Sequence, residues 1–554
     1  MGGSEKSLDV GSVLHFQARK LTMSLFERLF PADRSLREAV LFDGRRINYA
    51  DLRAETVRVA EVLNALGVSN GDRVALLLAD SPEFIAAFVA IISIGAIAVP
   101  INLALGREEQ LFILKDCGAC AAVVEASAAG PLFEKSSVPA DLKNLIVVRR
   151  NDDKLPEGIT GVAVEDFEND GRRVIANVGD EDALPHGRDA DTDADAFILY
   201  TSGSTGEPKG AVHTQADIFY TEETFCREVL QLREGDRLFS SSRLPFAYGL
   251  GNSFTFPLLN GLTTVLCREK PTPEVVSRIL NEYQPTIFFG VPVVYRMLLE
   301  HHRSKAALDC SSLRLCVSAG EALPAQLGQE WQKTFGLEVL DGIGSTEMLH
   351  MFMSNHSGDL RYGSSGKLLS GFETKLIDHE GVATRTGEVG NLWIRGDSAA
   401  SRYWQRAETS AETFVDGWTR TGDLYRCDGS GFWWHMGRSD DCFKPTGQWV
   451  SPIEVERVLL KHESTRAAAV VEGSDDDGLS CVCALVVLAD GSEHLKSESS
   501  LRELCASALP RFKQPRRYFF VSELPYTATG KVQRFKLREQ LRNIQSPTSK
   551  VQRR

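Results

Sequence analysis

The chain has 554 residues, of which 43% are apolar and 25% are charged, the composition of a globular protein with room for more than one core. At ordinary domain sizes this length predicts roughly two to four structural units. The formal net charge of −13 argues against a nucleic-acid-binding protein, which would carry a basic face. Anionic nucleotides remain compatible with this charge, because backbone N–H groups and single cationic side chains can bind them locally.

The eleven cysteines are scattered without a recognisable pattern. Cys117 and Cys120 form a C-x-x-C pair and Cys481 and Cys483 a C-x-C pair, but neither has a second pair at metal-binding spacing. Dispersed thiols in odd number indicate a reducing compartment, so we predict a cytoplasmic protein. The opening stretch "MGGSEKSLDVGSVLHFQARK" contains no apolar segment of signal-peptide length.

The first third of the chain alternates predicted helices and strands. "INYADLRAETVRVAEVLNALGV" has apolar residues at helical spacing and ends near Gly67, and "DRVALLLA" and "AAVVE" are typical of buried strands. The uncharged residues 84–100 are slightly short for a membrane span, contain Gly95 and end at Pro100, so we predict a buried helix, a glycine turn and a short strand there. This alternation predicts a mostly parallel sheet and no membrane span.

Residues 151–195 are acidic and poor in large apolar groups, which predicts a surface connection. The apolar strand "FILYTSG" follows, and "TTVLC", "PTIFFGVP", "LRLCVSAGEAL" and "LEVLDGIGSTE" continue the pattern of strands that end at Gly or Pro. From residue 378 onwards, short strands separated by Gly and Asp turns predict a small barrel or sandwich.

The last hundred or so residues predict a compact α+β unit of ordinary domain size. In it, "PIEVERVLLKH" is an amphipathic helix with Ser451 as N-cap and Pro452 at its first position. We place the boundary near Asp440, which gives domains of residues 1–439 and 440–554. The predicted fold class is α/β: a large N-terminal domain of parallel α/β sheets plus a small β-barrel, with a small mobile α+β C-terminal lid domain.

Residues 200–212, "YTSGSTGEPKGAV", predict a phosphate-binding loop. A Walker loop is excluded by spacing, because Lys209 stands between Pro208 and Gly210. Glycines at 203 and 206 allow positive φ and close backbone approach, and neighbouring hydroxyls and Lys209 suit an anion. A Gly/Ser linker is the alternative, but a strand precedes the loop and "AVHTQADIFYTEETF", which looks helical, follows it.

"YTSGSTGEPKG" resembles the signature of adenylate-forming enzymes, the superfamily of acyl-CoA synthetases, peptide-synthetase adenylation domains and luciferases. "GSTE" at 344–347, "TGD" at 421–423, "GRSDD" at 437–441 and "TATGKVQR" at 527–534 follow in that superfamily's order. Within it, "PFAYGLGN", "SAGEALP", "DGIGSTEMLH" and "FKPTGQWVSPIEVE" look most like benzoate–CoA ligases. The resemblance spans roughly residues 30–541.

The resemblance implies a two-step reaction in which a carboxylic acid attacks ATP to form an acyl-adenylate, and a thiol then displaces AMP. It implies ATP, Mg²⁺ and CoA as cofactors or co-substrates, benzoate or another aryl acid as substrate, and no nucleic-acid partner. Medium-chain fatty acids as substrates, an acyl carrier protein as acceptor, and a homodimer stay open. A noncatalytic nucleotide-binding relative is the alternative of a different class, and the key charged residues Lys531, Glu347 and Asp423 argue against it.

The resemblance also implies residue roles. The catalytic residues would be Lys531, Thr346 and Glu347, and Glu347 would also hold Mg²⁺. ATP and AMP would contact Thr201, Ser202, Gly203, Ser204, Thr205, Gly206, Lys209, Gly320, Glu321, Ala322, Asp341, Gly342, Ile343, Asp423 and Arg438. The acyl pocket would be lined by Ala247, Tyr248, Gly249, Val291, Gly344, Leu349 and His350. Asp440 would be the domain hinge, and Gly447 would line the pantetheine tunnel.

Some of these positions have simpler interpretations. Tyr248 and Leu349 could be core residues, and His350 could satisfy a buried hydrogen bond. Two segments depart from the benzoate-ligase pattern: "KPTGQW", which contains Pro445, and "GKLLSGFE". These departures leave the acid and the thiol acceptor open.

Overall fold

The structure is a computed structural model of the chain. It describes residues 23–133, 138–149, 163–168, 191–201, 207–304, 308–445, 448, 450–475, 479–489, 494–526 and 532–545, with residues 163–168 described by their backbone alone. Within these ranges, no helix combines the length and the hydropathy that a membrane crossing needs.

Twenty-five strands are assigned in the described part of the chain. In chain order they are β1 (Glu38–Phe42), β2 (Arg45–Asn48), β3 (Arg73–Leu77), β4 (Ile97–Pro100), β5 (Ala121–Glu125), β6 (Asn144–Arg149), β7 (Ala163–Glu168), β8 (Asp195–Thr201), β9 (Lys209–Thr214), β10 (Arg237–Ser240), β11 (Thr263–Val265), β12 (Ile287–Gly290), β13 (Leu315–Ser318), β14 (Val339–Gly344), β15 (Met351–Ser354), β16 (Lys367–Leu368), β17 (Glu373–Ile377), β18 (Val389–Arg395), β19 (Arg402–Tyr403), β20 (Phe414–Val415), β21 (Trp418–Cys427), β22 (Trp433–Arg438), β23 (Thr465–Ser474), β24 (Ser480–Leu488) and β25 (Arg517–Phe520).

The α-helices of the same described ranges are α1 (Leu25–Leu29), α2 (Tyr49–Ala65), α3 (Pro82–Ser93), α4 (Arg107–Cys117), α5 (Ala126–Phe133), α6 (Gln215–Thr221), α7 (Ala247–Leu250), α8 (Phe256–Leu259), α9 (Pro273–Tyr283), α10 (Pro292–Arg303), α11 (Ala325–Phe335), α12 (Ala407–Thr413), α13 (Pro452–Leu459), α14 (His494–Ala508) and α15 (Arg534–Gln545). Two π-helical segments interrupt or extend them: Glu222–Leu230 continues α6, and Gly251–Thr255 joins α7 to α8.

Two large sheets form the N-terminal part of the molecule. One has the order β16-β15-β14-β13-β12-β10-β11-β1-β2 and is parallel from β14 to β1. The other has the order β19-β9-β8-β4-β3-β5-β6-β7 and is parallel from β8 to β7. Helix α3 packs in the core beside them and is buried along nearly its whole length. The predicted helix, glycine turn and strand of residues 84–100 are therefore confirmed.

A third, antiparallel sheet follows in the order β17-β18-β21-β20, with β22 paired to β21. It is the half-barrel that the Gly- and Asp-rich turns predicted. The C-terminal part is a three-stranded sheet, β23-β24-β25, with α13 and α14 on one face and α15 on the other. Ser451 caps α13 by accepting from the Glu454 backbone N–H, as the sequence predicted.

The segment after the phosphate loop differs from its prediction. We expected a helix directly after the loop, but β9 comes first and pairs antiparallel with β8, so that Thr201 faces Lys209 across a hairpin. Helix α6 begins only at Gln215. The polar-looking "KGAVHT" is a strand because it pairs with β8 on one side and β19 on the other, and its consecutive residues Ala211 and Val212 are buried on its two faces.

Candidate functional site

A tight turn at the end of β14 presents Thr346 and Glu347. The Leu349 N–H donates to the Thr346 carbonyl at 3.1 Å, and the Met348 N–H donates to Ser345 Oγ at 3.2 Å. Leu349 closes the turn with a φ of 61°, a left-handed conformation that is costly for a branched apolar residue. The two hydrogen bonds therefore hold the turn in a strained backbone conformation. The Thr346 and Glu347 side chains are half-buried at the carboxyl end of β14.

Glu347 is bound to the phosphate-loop hairpin through Tyr403. Tyr403 Oη donates to Glu347 Oε1 at 2.6 Å, and β19, which carries Tyr403, pairs with β9. Lys209, the first residue of β9, has its Nζ 5.6 Å from the centroid of the Tyr403 ring. Burial and the nearby Glu347 charge raise the pKa of Tyr403, so its hydroxyl remains a donor. This contact joins a site carboxylate, an aromatic ring and a loop cation.

A buried histidine fixes the other side of the turn. His213 Nε2 lies 2.8 Å from the Thr346 carbonyl oxygen, and Nδ1 lies 2.7 Å from Asp217 Oδ2. The His213 ring is fully buried and stacks on Phe197 at 5.3 Å between centroids. Its two ring nitrogens thus contact Asp217 on α6 and the Thr346 carbonyl, so His213 links α6 to the backbone of the turn.

Asp423 and Arg438 face each other across β21 and β22. Arg438 Nη1 lies 3.4 Å from Asp423 Oδ1 and donates to the Thr421 carbonyl at 2.9 Å. His435 Nε2 also lies 3.4 Å from Asp423 Oδ1. Burial alone would lower the pKa of Arg438, but the negative charges of Asp423, Asp440 and Glu347 outweigh burial and raise it. A cation therefore holds the carboxylate predicted to bind ribose.

The residues predicted to frame the adenine lie in two adjacent places, just after β13 and within the second half of β14. Gly320, Glu321 and Ala322 follow β13, while Asp341 to Ile343 belong to β14. Asp341 is 2% exposed and accepts from the Leu323 N–H at 3.1 Å. Its carboxyl group thereby holds the backbone that directly follows residues 320–322. Burial raises the pKa of Asp341 to about 8, so the group is mostly protonated at neutral pH.

Two of the predicted acyl-pocket residues, Tyr248 and His350, have neighbouring rings, and a third, Val291, lies next to the Gly320 turn. Tyr248 Oη lies 3.3 Å from the Val317 carbonyl oxygen, and the Tyr248 ring lies 5.7 Å from that of His350. Val291 lies beside the Gly320 turn, since a Cβ placed on Gly320 would be 3.6 Å from Val291 Cγ1.

Other predicted pocket residues serve packing. A Cβ on Gly249 would lie 2.0 Å from the Arg243 carbonyl oxygen, and one on Gly344 would lie 2.4 Å from that of His350. Both positions therefore require glycine for close backbone approach. Leu349 is 3% exposed and belongs to the core that contains α3, while Ala247 packs against the edge of the same core.

Several predicted residues lie outside the described part of the chain, namely Ser202, Gly203, Ser204, Thr205, Gly206, Gly447 and Lys531. The ends of the segment that holds Lys531 are described: Tyr526 and Val532 form an antiparallel bridge. Asp440, the predicted hinge, is exposed and has its Oδ2 4.0 Å from Arg438 Nη2.

Sequence reasoning missed Tyr403, His213 and His435. Tyr403 stands in "SRYWQR", 56 residues after its partner Glu347, and nothing in that stretch marks it. His213 follows the phosphate loop in "GAVHTQ", where a histidine alternating with buried Ala211 could have been assigned to a strand. His435 alternates with Trp433 on β22 and resembles an ordinary strand residue.

The donor set suits a magnesium ion held mainly by nucleotide phosphates. Within the described ranges, no group of three or more His, Cys, Asp or Glu side chains could hold a metal by itself. Glu347 Oε1 is taken by Tyr403, and Oε2 has no hydrogen bond from any described residue. One carboxylate oxygen plus substrate phosphates is a common way for proteins to bind Mg²⁺.

Two family models match the chain. The model described as "AMP-binding enzyme" matches residues 30–404, and the one described as "AMP-binding enzyme C-terminal domain" matches residues 454–531. The chain belongs to the AMP-binding enzyme family. The first match contains the β8–β9 hairpin and the Thr346–Glu347 turn, and the second contains the C-terminal sheet.

Relatives within the AMP-binding enzyme family align over nearly the whole chain. A benzoate–CoA ligase of Thauera aromatica is 40% identical over 93% of this chain and 94% of its own length. A 4-hydroxybenzoate–CoA/benzoate–CoA ligase of Rhodopseudomonas palustris is 36% identical over 89% of each chain. The solved structure of the anthranilate CoA ligase AuaEII, in complex with anthranoyl-AMP, superposes with a TM-score of 0.83 at 35% identity and covers 94% of this chain and 98% of its own.

Proposed function

We propose that the protein is an AMP-forming acid–CoA ligase that activates an aryl carboxylic acid. The observation that carries this proposal is the contact of Tyr403 with Glu347, which joins the phosphate-loop hairpin to the turn at the end of β14. Groups predicted to bind phosphate and a carboxylate predicted to bind the metal would thereby meet where the two large sheets adjoin.

In the first step, a carboxylate oxygen of the acid attacks the α-phosphorus of ATP, and pyrophosphate leaves. The Thr346 hydroxyl would donate to the α-phosphate, Lys209 and the loop hydroxyls would hold the outer phosphates, and Asp423 would accept from the ribose hydroxyls. His213 and Tyr403 keep the turn in place through the Thr346 carbonyl and the Glu347 carboxylate. Groups fixed before the reaction stabilise developing charge without having to reorganise.

Glu347 Oε2 would hold Mg²⁺, which supplies charge neutralisation on the phosphates. Lys531 would offset the charge between the incoming carboxylate and the α-phosphate. In the second step the CoA thiol loses its proton to solvent, the resulting thiolate attacks the acyl carbonyl carbon, and AMP leaves. The C-terminal domain, with a boundary at 439/440, would turn about Asp440 between the steps and bring Gly447 to the pantetheine.

The relatives support an aryl acid as substrate and CoA as acceptor, because their names specify benzoate, hydroxybenzoate and anthranilate as acids with CoA. An ATP–pyrophosphate exchange screen of benzoates, cinnamates and medium-chain fatty acids tests the acid. We expect exchange with benzoates, and exchange with fatty acids alone would contradict the proposal.

The thiol acceptor is tested by adding CoA or a carrier protein to isolated adenylate. Release of AMP by a carrier protein but not by CoA would contradict the proposal that CoA is the acceptor.

Lys531→Ala separates the two steps. We expect a large loss of pyrophosphate exchange and a smaller loss of thioester formation from isolated adenylate, because Lys531 would act where the acid meets the α-phosphate. Unchanged exchange in this variant would contradict the mechanism.

A further inference from the structure

An aspartate at the end of α4 stands where helix electrostatics disfavour it. Asp116 is the next-to-last residue of α4, and the negative end of the helix dipole repels a carboxylate there. Its side chain is only 9% exposed, and the burial of a charge is costly unless that charge is paired. The helix itself therefore gives no reason for an acidic residue at this position, and the contacts of Asp116 outside the helix have to explain it.

Asp116 accepts hydrogen bonds from two side chains that come from distant parts of the chain. Tyr200 Oη donates to Oδ2 at 2.7 Å, and Arg406 Nη2 donates to Oδ1 at 2.6 Å. Burial raises the pKa of Tyr200, so its hydroxyl keeps its proton and acts as the donor. Both oxygens of the carboxylate are thus used, and both bonds are of the strong, charge-assisted kind.

The first partner, Tyr200, lies at the base of the β8–β9 hairpin. It pairs with Gly210, next to the pair that Thr201 forms with Lys209. A Cβ on Gly210 would lie 3.0 Å from Tyr200 Cε2, so the tyrosine ring packs closely against the start of β9. A shift of this ring would therefore shift the strand that carries Lys209, the cation predicted to hold the outer phosphates of ATP.

The second partner, Arg406, follows the strand that positions Glu347. The Arg406 N–H donates to the Tyr403 carbonyl at 3.3 Å. Ser410 Oγ accepts from the Tyr403 N–H at 2.9 Å and donates to the Arg406 carbonyl at 2.6 Å, which makes this segment compact. Tyr403 in turn donates to Glu347 Oε1. The arginine is therefore connected, through a few short contacts, to the carboxylate predicted to bind the metal.

The end of α4 is itself fixed to the sheet. Arg73 on β3 donates from Nε to the Cys117 carbonyl and from Nη2 to the Gly118 carbonyl, both at 2.9 Å. Carbonyls in the last turn of a helix have no partner within the helix, so these two bonds anchor it where Asp116 stands. A residue that sets the position of other groups needs such a support of its own.

We propose that Asp116 is a positioning residue for adenylation, which holds the β8–β9 hairpin through Tyr200 and the Tyr403 segment through Arg406, and so sets how the outer phosphates of ATP are bound. This inference rests on the proposed function and adds to it a residue that stands in none of its sequence motifs. Desolvation largely offsets the attraction within a buried ion pair, so fixing geometry is the contribution that we assign to this one.

The first test uses Asp116→Asn, which keeps the shape of the side chain and removes its charge. We expect the Kd of Mg·ATP, measured by calorimetry without acid, to rise roughly tenfold, and the Kd of AMP, which has no outer phosphates, to change by less than about twofold. In pyrophosphate exchange, KM for ATP should rise and KM for the aryl acid should not. An equal loss of ATP and AMP affinity, or a lower melting temperature with both affinities unchanged, would show a merely structural role and overturn the inference.

Asp195→Asn is the matched control. Asp195, at the opposite end of β8 from Tyr200, accepts from Arg402 Nη1 at 3.0 Å and from Nη2 at 2.6 Å, so this ion pair also connects β8 with β19. We expect the Kd values of ATP and AMP to stay as in the wild type. A rise in the Kd of ATP as large as that of Asp116→Asn would overturn the inference, because any ion pair between these strands would then have the same effect.

Tyr200→Phe removes one hydroxyl and keeps the inference testable if Asp116→Asn fails to fold. We expect the Kd of Mg·ATP to rise by roughly two- to tenfold, with that of AMP unchanged. The effects of the two substitutions should combine to less than their product, because both remove the same hydrogen bond. Unchanged ATP affinity in Tyr200→Phe, or fully multiplicative effects, would overturn the inference. Absence of ATP binding in the wild type, and of exchange with every aryl acid, would instead overturn the proposed function.

Discussion

At the scale of single residues, the position of the Glu347 carboxylate depends on one phenol. Tyr403 is 6% exposed and donates to Glu347 Oε1 at 2.6 Å, a short, charge-assisted hydrogen bond. This bond fixes the orientation of the carboxylate and leaves Oε2 without a hydrogen bond from the described residues. The tyrosine therefore positions Glu347 for the metal that we propose it holds.

Tyr403→Phe should raise the Mg²⁺ concentration needed for half-maximal pyrophosphate exchange. A hydrogen bond to a charged group contributes about 1.5–3 kcal/mol, so we expect a rise of roughly tenfold or more. The increase in melting temperature that Mg·ATP produces should shrink in parallel. Tyr362→Phe is the control, because Tyr362 Oη also donates to a side chain, Gln332 Oε1 at 3.1 Å, in a different part of the structure. An unchanged Mg²⁺ requirement in Tyr403→Phe would show that Glu347 is positioned by other groups.

Asp341 makes the stability of the domain depend on pH. Burial raises its pKa to about 8 in the folded protein, from an ordinary value of 3.8, with the Leu323 N–H and Arg457 opposing the shift. Between these two values the folded state keeps a proton that the unfolded chain releases. The contribution of Asp341 to stability is therefore fully present below pH 3.8 and is lost as pH rises through about 8.

Asp341→Asn should remove this dependence, because an amide resembles the protonated carboxyl group and does not titrate in this range. The melting temperature of the wild type should fall relative to that of the variant between pH 6 and pH 9. Asp359→Asn is the control: Asp359 pairs with Lys367 at 2.6 Å, which lowers its pKa, so its charge is constant over the same range. Parallel melting profiles for wild type and Asp341→Asn would contradict a protonated Asp341.

At the scale of secondary-structure elements, α15 is anchored by its first residue. Both oxygens of Glu456 lie within 2.9 Å of Arg534 Nη2, and Arg538 reaches Asp441 at 2.7 Å. Glu456 Oε1 also accepts from the Val470 N–H at 2.7 Å, so α13, β23 and α15 share one carboxylate. Since Asp441 directly follows Asp440, α15 is tied to the proposed hinge.

Arg534→Leu should loosen α15 and the segment before it, which contains Lys531. Removing one partner of a buried ion pair typically costs about 3–5 kcal/mol, because the other charge is left without a partner. We expect faster amide hydrogen exchange throughout the C-terminal sheet and lower pyrophosphate exchange. Arg502→Ala is the control, since Arg502 pairs with Glu498 at 2.7 Å on the surface, where such pairs contribute about 0.3–0.5 kcal/mol. Similar rates of amide hydrogen exchange in the C-terminal sheet of both variants would contradict an anchoring role for Arg534.

Elements with local signals were predictable from the sequence. Ser451 and Pro452 marked the start of α13, and Gly67 and Gly95 marked turns that the structure confirms with φ of 79° and 80°. The prediction of a helix at β9 was wrong because strands pair with it on both sides: Val212 pairs with Ile198 across the β8–β9 hairpin and with the distant Arg402 in β19. A strand stabilised by a partner 190 residues away leaves little trace in its own sequence.

The candidate site also combines residues that local motifs predict with residues that only tertiary contacts reveal. Thr346, Glu347, Asp423 and Lys209 stand in compact motifs, so their resemblance to a family could be recognised and carried over. Tyr403 acts on Glu347 only through a tertiary contact, and no motif around residue 403 reports that contact.

At the scale of the whole molecule, the C-terminal part contacts the larger part through two hydrogen bonds from arginine side chains to backbone carbonyls. Arg296 Nη1 on α10 donates to the Arg466 carbonyl at 3.0 Å, and Arg457 Nη2 donates to the Gly363 carbonyl at 3.3 Å. Burial raises the pKa of Tyr526, and the negative charge of Glu321 raises it further. Tyr526 is the last described residue before the segment that contains Lys531. We propose that this arrangement serves adenylation, since it brings that segment beside the turn predicted to frame the adenine.

Arg296→Ala tests the arrangement because its contact with Arg466 joins the two parts of the molecule. A hydrogen bond of this kind contributes about 0.5–1.5 kcal/mol, so we expect pyrophosphate exchange to fall by roughly two- to tenfold. Thioester formation from isolated adenylate should not change, because the C-terminal domain would have turned away from Arg296 for that step. Arg303→Ala, on the same helix, removes an ion pair with Glu330 that lies entirely within the larger part, and should alter neither step. If Arg296→Ala slowed only thioester formation, the described arrangement would belong to the second step, and Lys531 would have to reach the α-phosphate from a different domain orientation.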